Sequence, residues 1–376
     1  MKLRLALTLS LLPTPYLLAD TFERDQALKL PDIVISANRQ VEARNDSSAA
    51  NTVFTRDDIE RLQPASVTDL LSRVPGVQVA PLGGHGSLPG IYIRGTKSAQ
   101  SLVLVDGQRI GNATSGDSNL QRLNIHQIER VEVLRGSRSV IYGADAVGGV
   151  IQIFTRRGNE QGLQPRLHLG FGSQQTWERS LSLSGGDEQT RFNLGASLDD
   201  SAGDNRTHES YASDRDEDAN RNQSFSLSLS HAASDDLEVG LNLLDNRGKS
   251  EYDNPFGRFD PTTFESLPQQ PHSEFAVSSF STYVDGRLND TWKSRLELGH
   301  SENREKTFDK LSDVREVFNT YRDSVTWQND VKLDERNSLI VGGDWYQDRV
   351  NSSTPFDEDS RWNRAAFIQH RFQAET

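Results

Sequence analysis

Cysteine is absent from the 376-residue sequence, which excludes disulfide staples, thiolate metal sites and a cysteine nucleophile. Apolar residues are scarce, at 34%. Beyond the N-terminal segment no stretch approaches the ~18–20 consecutive apolar residues of a spanning helix, so any passage through a membrane must be made by strands. A surplus of positive charge is also missing. The 41 Lys+Arg face 54 Asp+Glu, for a net charge of −13, and no basic stripe offsets it, so a phosphate backbone is repelled and nucleic acid is not an expected partner. Enzyme signatures are missing as well: the glycine cluster Gly83-Gly84-His85-Gly86 lacks the Lys-Ser/Thr of a phosphate loop, and neither Gly-x-Ser-x-Gly nor His-Glu-x-x-His occurs. The expectation is a chain that is not an enzyme, with His85 an ordinary loop residue.

The N-terminus places Lys2 and Arg4 before the apolar run Leu5 to Leu12, and a second apolar stretch ends at Ala19. Pro13 and Pro15 would break a buried helix there, so residues 1–19 read as a secretory signal peptide. Residues 20–45 are polar except for the β-prone island Asp32-Ile33-Val34-Ile35-Ser36-Ala37. Such an island is either a peptide that pairs with a partner or an ordinary edge strand of the next domain.

Residues 46–158 read as a compact α/β unit. Thr55-Arg56-Asp57-Asp58 and Ser66-Val67-Thr68-Asp69 both fit a capping-box start, and Val67, Leu70, Leu71 and Val74 recur at helical spacing before Pro75-Gly76 stops the run. Strand-type segments follow at 77–79, 91–93, 102–105, 131–134 and 150–154, with turn signals such as Asp106-Gly107 between them.

From Gln164 onward the period changes to two, as in Phe225-Ser226-Leu227-Ser228-Leu229-Ser230, and ten candidate strands can be counted over 163–376. Short connections (185–189, 232–236, 287–290, 334–337) alternate with long polar ones at 200–221, 247–274, 303–319 and 350–360, after a first short turn at 173–176. This alternation, with one apolar and one small polar face per strand, fits a transmembrane barrel with lipid outside and a wet lumen inside. A soluble sandwich would need a second apolar face. A compact unit of about 130 residues is roughly 35 Å across, whereas ten tilted strands close at about 20 Å and about 22 strands at about 45 Å. If the α/β unit plugs the barrel, ten of an expected 22 strands are present, and the chain is expected to be C-terminally truncated. The acidic loop between Asp199 and Arg221 carries eight carboxylates and three arginines. Its alternating carboxylates are hard-oxygen ligands with convergent spacing, or else a solvated face.

The ordered runs Ile91-Tyr92-Ile93-Arg94-Gly95, Leu102 to Gly107, Ile128 to Gly136, Tyr142-Gly143 and Gly148-Gly149-Val150-Ile151 resemble the plug of TonB-dependent outer-membrane receptors. Within that family Ile33 to Arg39 and the details of 83–110 are most similar to its cobalamin (vitamin B12) branch. The resemblance is dense over 31–157 and thinner over the strands. It implies a bacterial outer-membrane location, an α/β plug followed by an antiparallel barrel, a monomer, and transport that is mechanical rather than catalytic. It also implies that Asp32, Ile33, Val34, Ile35, Ser36 and Ala37 form the TonB box, captured as an added strand by TonB and its inner-membrane energising complex. Cobalamin would meet Leu88, Pro89, Asn112, Ala113, Thr114 and Ser115. Calcium would be held by Asp204, Asp216 and Asp218, with Asp253 and Asp260 from the next long loop. The chain departs from the family pattern in having Pro89 where Ser is common, and in a second plug loop about one residue shorter. A receptor for a ferric siderophore or haem is the alternative within the family, and a non-transporting adhesin the alternative outside it.

Overall fold

In the computed structural model the described residues are 34–35, 42–43, 50–81, 89–158, 162–205, 217–254, 257–267, 269–313 and 315–373. The expected signal peptide lies outside them. A two-stranded ladder, β1 (Val34–Ile35) with β2 (Glu42–Ala43), pairs Val34 with Ala43 and Ile35 with Glu42. It is separate from the sheet that follows.

The α/β unit begins with β3 (Ala50–Phe54), α1 (Arg56–Leu62) and α2 (Val67–Ser72). Thr55 caps α1 through the expected reciprocal box: its hydroxyl accepts from the Asp58 N–H, and the Asp58 carboxylate accepts from the Thr55 N–H at 3.1 Å. At α2 the box is incomplete. Ser66 accepts from Asp69 N–H at 3.1 Å, but the Asp69 carboxylate reaches Ala65 N–H instead of the cap's own. A small ladder of β4 (Val77–Pro81) and β5 (Pro89–Ile93) follows, then β6 (Ser101–Val105), β7 (Gln108–Arg109), β8 (Ile128–Arg135), the short α3 (Ser139–Tyr142) and β9 (Gly149–Thr155). The main sheet of this unit has the order β3-β8-β9-β6-β7, with β6 and β9 parallel and the other pairs antiparallel. Asp106 and Gly107 link β6 to β7 with φ of +45° and +85°, the two-residue turn whose doubly left-handed backbone favours Asp-Gly. The core gathers Ile59, Leu70, Leu71, Ile93, Val131 and Ile151, all buried.

A ten-stranded antiparallel wall follows: β10 (Gln164–Gly172), β11 (Thr176–Gly186), β12 (Thr190–Ser201), β13 (Asn220–Ser234) and β14 (Leu237–Glu251). After the loop hairpin β15 (Arg258–Asp260) and β16 (Glu265–Leu267) it continues as β17 (Pro271–Asn289), β18 (Trp292–Asp309), β19 (Arg315–Lys332), β20 (Asn337–Ser352) and β21 (Ser360–Phe372). Each wall strand pairs with its neighbour in the series, and among the described residues β10 and β21 do not pair with each other, so the barrel is incompletely closed.

Two expectations are corrected by the wall. The polar stretch 303–319 is not one long loop, because β18 runs to Asp309 and β19 begins at Arg315. These strand ends carry polar residues on both faces, and the loss of alternation there imitates a loop. The inner face is also not an open wet lumen. Ser182, Asn193, Ser226, Asn242, Asn246, Ser281 and Asn303 are buried, because the plug occupies the space they face. Leu167, Leu169, Phe171, Leu181, Leu298 and Ile368 are exposed on the opposite face, as a lipid-facing band requires.

Candidate functional site

The plug segment after β7 meets the wall near the strand ends that carry the long connections. Asn112 organises the segment: its Oδ1 accepts from the Thr114 N–H at 2.9 Å, the Thr114 hydroxyl at 2.9 Å and the Ser115 N–H at 3.3 Å. The buried Ala113 donates its N–H to Thr320 Oγ1 on β19 at 3.1 Å. Thr114 and Ser115 are left exposed. Four of the expected ligand contacts therefore form one tight turn that presents two hydroxyl side chains. Pro89 lies on a different element, opposite Pro81 at the end of the β4–β5 ladder, and Leu88 lies outside the described residues. A cavity of about 910 Å³ between plug and wall is lined by Arg109, Asp145, Arg322, Tyr346 and Arg361 among others, and by none of these expected contacts.

Below the turn the seam between plug and wall is built of hydrogen bonds. Gln108 donates to Glu297 at 2.6 Å and accepts from the Ser324 hydroxyl at 2.6 Å. Asn119 donates to Asn303 at 2.9 Å, Asn222 donates to the Arg122 carbonyl at 2.8 Å, and Ser226 bonds Gln127. Arg122 pairs with Glu305 at 2.9 Å and lies 4.2 Å over the Phe275 ring. Wall residues Leu244 and Val277 join the plug's apolar core. The sequence carried a signal for Leu244: it stands out of phase with Leu237, Val239, Leu241 and Leu243 and so points inward. The polar partners carried none, because serine and asparagine look alike facing water or a plug.

Of the expected calcium ligands, Asp216 lies outside the described residues. Asp218 is buried, and its backbone carbonyl takes the space that a Cβ would need at Gly203, the residue before Asp204. The Glu251 N–H donates to the Ala219 carbonyl at 2.8 Å, which brings the start of the next long connection alongside. Two residues on, Asp253 has both carboxylate oxygens buried with no hydrogen-bond partner, a state that calls for a cation or bound water. Asp260 lies in the β15–β16 hairpin of that next connection. It caps its own hairpin by accepting from the Thr262 N–H at 2.8 Å, and that bond, ahead of smaller contributions, holds its carboxyl below the ordinary range. Among the described residues no three of these aspartates bring their oxygens within 4.8 Å of one another. Of the TonB-box residues only Val34 and Ile35 are described, as β1, and they are not an edge strand of the plug sheet.

A hydrogen-bonded α/β plug against an antiparallel wall with an outward apolar band defines a plug-and-barrel protein of the outer membrane. Residues 43–150 match the TonB-dependent receptor plug domain. The chain is similar to the vitamin B12 transporter BtuB of Photobacterium profundum, with 29% identity over 369 residues that make up 97% of this chain and 57% of that protein. With the BtuB of Vibrio vulnificus the identity is 28%, covering 98% of this chain and 58% of the relative. The chain thus spans a little over half the length of these curated relatives. Among solved structures it matches the ferric enterobactin receptor PfeA of Pseudomonas aeruginosa in complex with enterobactin (TM-score 0.70, 16% identity, 86% of this chain and 56% of that one). It also matches the siderophore receptor PirA of Acinetobacter baumannii (TM-score 0.64, 19% identity, 87% and 55%). These matches establish the shared plug-and-barrel fold.

Proposed function

We propose that the protein takes up cobalamin across the outer membrane by a TonB-dependent mechanism. The observation that carries this reading is the similarity to vitamin B12 transporters along nearly the whole chain, plug and wall alike. The structural neighbours named above bind siderophores but share only 16–19% of residues. In this reading the Asn112–Ser115 turn offers Thr114 and Ser115 to the corrinoid, with Ala113 anchoring the turn to β19. Calcium, when bound, would neutralise carboxylates that otherwise repel one another and order the long connections over the ligand. The buried oxygens of Asp253 support it as a ligand, beside Asp218 and Asp204. TonB would add a strand to the segment 32–37, and force on that segment would break the polar seam between plug and wall.

The test is growth and labelled-cyanocobalamin uptake in a strain lacking its own cobalamin transporter and carrying the gene. Saturable uptake that depends on TonB is expected. Uptake of a ferric siderophore, with no cobalamin binding at the surface, would favour the second reading, which the fold of the solved neighbours keeps in view.

A further inference from the structure

Away from the acidic loops, one trio of metal-binding side chains converges where plug meets wall. His126 stands on a short 3-10 turn of the plug, Ile125–Gln127, while His168 is on β10 and Glu178 on β11. His168 Nε2 lies 3.2 Å from Glu178 Oε2, and His126 Nε2 lies 3.7 Å from the same oxygen. The two imidazole rings are 3.9 Å apart between centroids, and one donor atom from each residue fits within 4.8 Å of the other two.

The register explains the convergence. Gly170 stands opposite Glu178, and His168 opposite Ser180, so His168 and Glu178 are diagonal neighbours on the inward face. The missing side chain at Gly170 keeps that space open, since a Cβ there would sit 3.0 Å from Glu178 Oε2 and 3.3 Å from His168 Nε2. From the plug side, Asn124 accepts the His126 N–H at 2.8 Å and donates to Asp199 Oδ2 at 2.5 Å, which fixes the histidine against the wall. Asp199 is the cross-strand partner of Glu178, and its other oxygen, Oδ1, is buried without a hydrogen-bond partner. Asp199 thus stands beside Glu178 on the next strand with one oxygen unsatisfied, outside the three donor atoms that lie within 4.8 Å of one another.

We propose that His126, His168 and Glu178 bind a first-row divalent transition-metal ion, and that the ion clips the plug to the first two strands of the wall. Two imidazole nitrogens with carboxylate oxygen suit zinc, cobalt or nickel, whereas calcium takes an all-oxygen shell. The site is therefore chemically distinct from the acidic loops, and its argument does not depend on which ligand the protein transports.

Zinc ion itself is the probe. The protein, purified from outer membranes in detergent without a polyhistidine tag and kept in excess calcium, is titrated with Zn2+ by calorimetry and by competition with a chromophoric chelator. A single equivalent bound at about micromolar affinity or tighter is expected. His168→Ala and Glu178→Gln on the wall, and His126→Ala on the plug, should each weaken it by at least about 10–100-fold. Heat-modifiable migration checks that each variant is folded. Substituted Co2+ should show visible ligand-field bands in the unmodified protein that disappear in His168→Ala, a signature that a histidine with only a structural role would not give. No equivalent tighter than about 0.1 mM in the unmodified protein would overturn the site. Affinity unchanged in folded His168→Ala and Glu178→Gln would do the same, and loss in the wall variants with full affinity in His126→Ala would overturn the clip between plug and wall.

Discussion

One ion pair is expected to contribute strongly to the plug's hold on the wall. The Arg122 side chain is only 3% exposed, and its salt bridge runs to Glu305, 24% exposed, at 2.9 Å. Its Nε and Nη1 are buried without hydrogen-bond partners, so Glu305 provides most of the compensation for a desolvated charge. Replacing Glu305 by Gln keeps the shape and one acceptor but removes the countercharge. Breaking one side of a buried pair costs about 3–5 kcal/mol, and the partial exposure of Glu305 with the amide's remaining bond reduces this to about 2–3 kcal/mol. Read as local opening, that is about a 30–150-fold faster amide exchange. Hydrogen exchange followed by mass spectrometry over the plug segment 118–128 measures it directly. The double variant Arg122→Met with Glu305→Gln removes both charges and keeps an apolar side chain over Phe275, so most of the protection should return. Acceleration of less than about threefold in Glu305→Gln, or a double variant worse than the single one, would refute this account of the seam.

Three further outcomes are expected. Ile33→Pro or Ile35→Pro removes a backbone donor from the segment proposed to pair with TonB, so uptake should vanish while surface binding of cobalamin persists; normal uptake in both variants would sink that assignment. Asp218→Asn with Asp253→Asn should abolish any calcium-dependent gain in cobalamin affinity, and equal affinity in EDTA and in millimolar calcium for the unmodified protein would reject the calcium proposal. Burial raises the Asp106 carboxyl above the ordinary range even though it accepts from the Thr155 N–H and hydroxyl. A carboxyl raised on folding favours the folded state at low pH, and that contribution is lost as pH rises from the ordinary carboxylate range through the raised value. Asp106→Asn should flatten the fall in plug protection with rising pH, and an unchanged pH profile by exchange would count against the assignment.

The wall was legible because period two is a strong signal where one face meets lipid. All ten strands were found from residues such as Leu167, Leu169 and Phe171, or Phe225, Leu227 and Leu229. The first two plug helices were legible from Thr55 and Ser66, whose side chains do at the caps what the spacing required, apart from the shifted partner of Asp69, whereas the one-turn α3 has no side-chain cap and went unread. The five residues of β3 went unread because Ala50-Asn51-Thr52-Val53-Phe54 offers no clean alternation; pairing with β8 makes it a strand. Strand ends past the apolar band were read as loop for the same reason. The candidate site was legible only as segments. The Asn112–Ser115 turn could be placed, but its bond to Thr320 joins residues 207 apart. His126, His168 and Glu178 escaped notice because no short spacing links them.

The inward wall face of serine and asparagine has a mechanical consequence. A water molecule can take the place of Ser324 on Gln108, or of Asn303 on Asn119, and each such exchange changes the free energy by only about 0.5–1.5 kcal/mol. The seam can therefore yield bond by bond, with solvent acting as a lubricant as it enters. An apolar seam would have had to part all at once, exposing its whole area to water. Real resistance is concentrated at a few places: the Arg122 pair and the two wall residues, Leu244 and Val277, that reach into the plug's core. These act as catches on an otherwise slippery bearing, and a pull on the N-terminal segment has to release them, together with the His126–His168–Glu178 clip when it holds an ion.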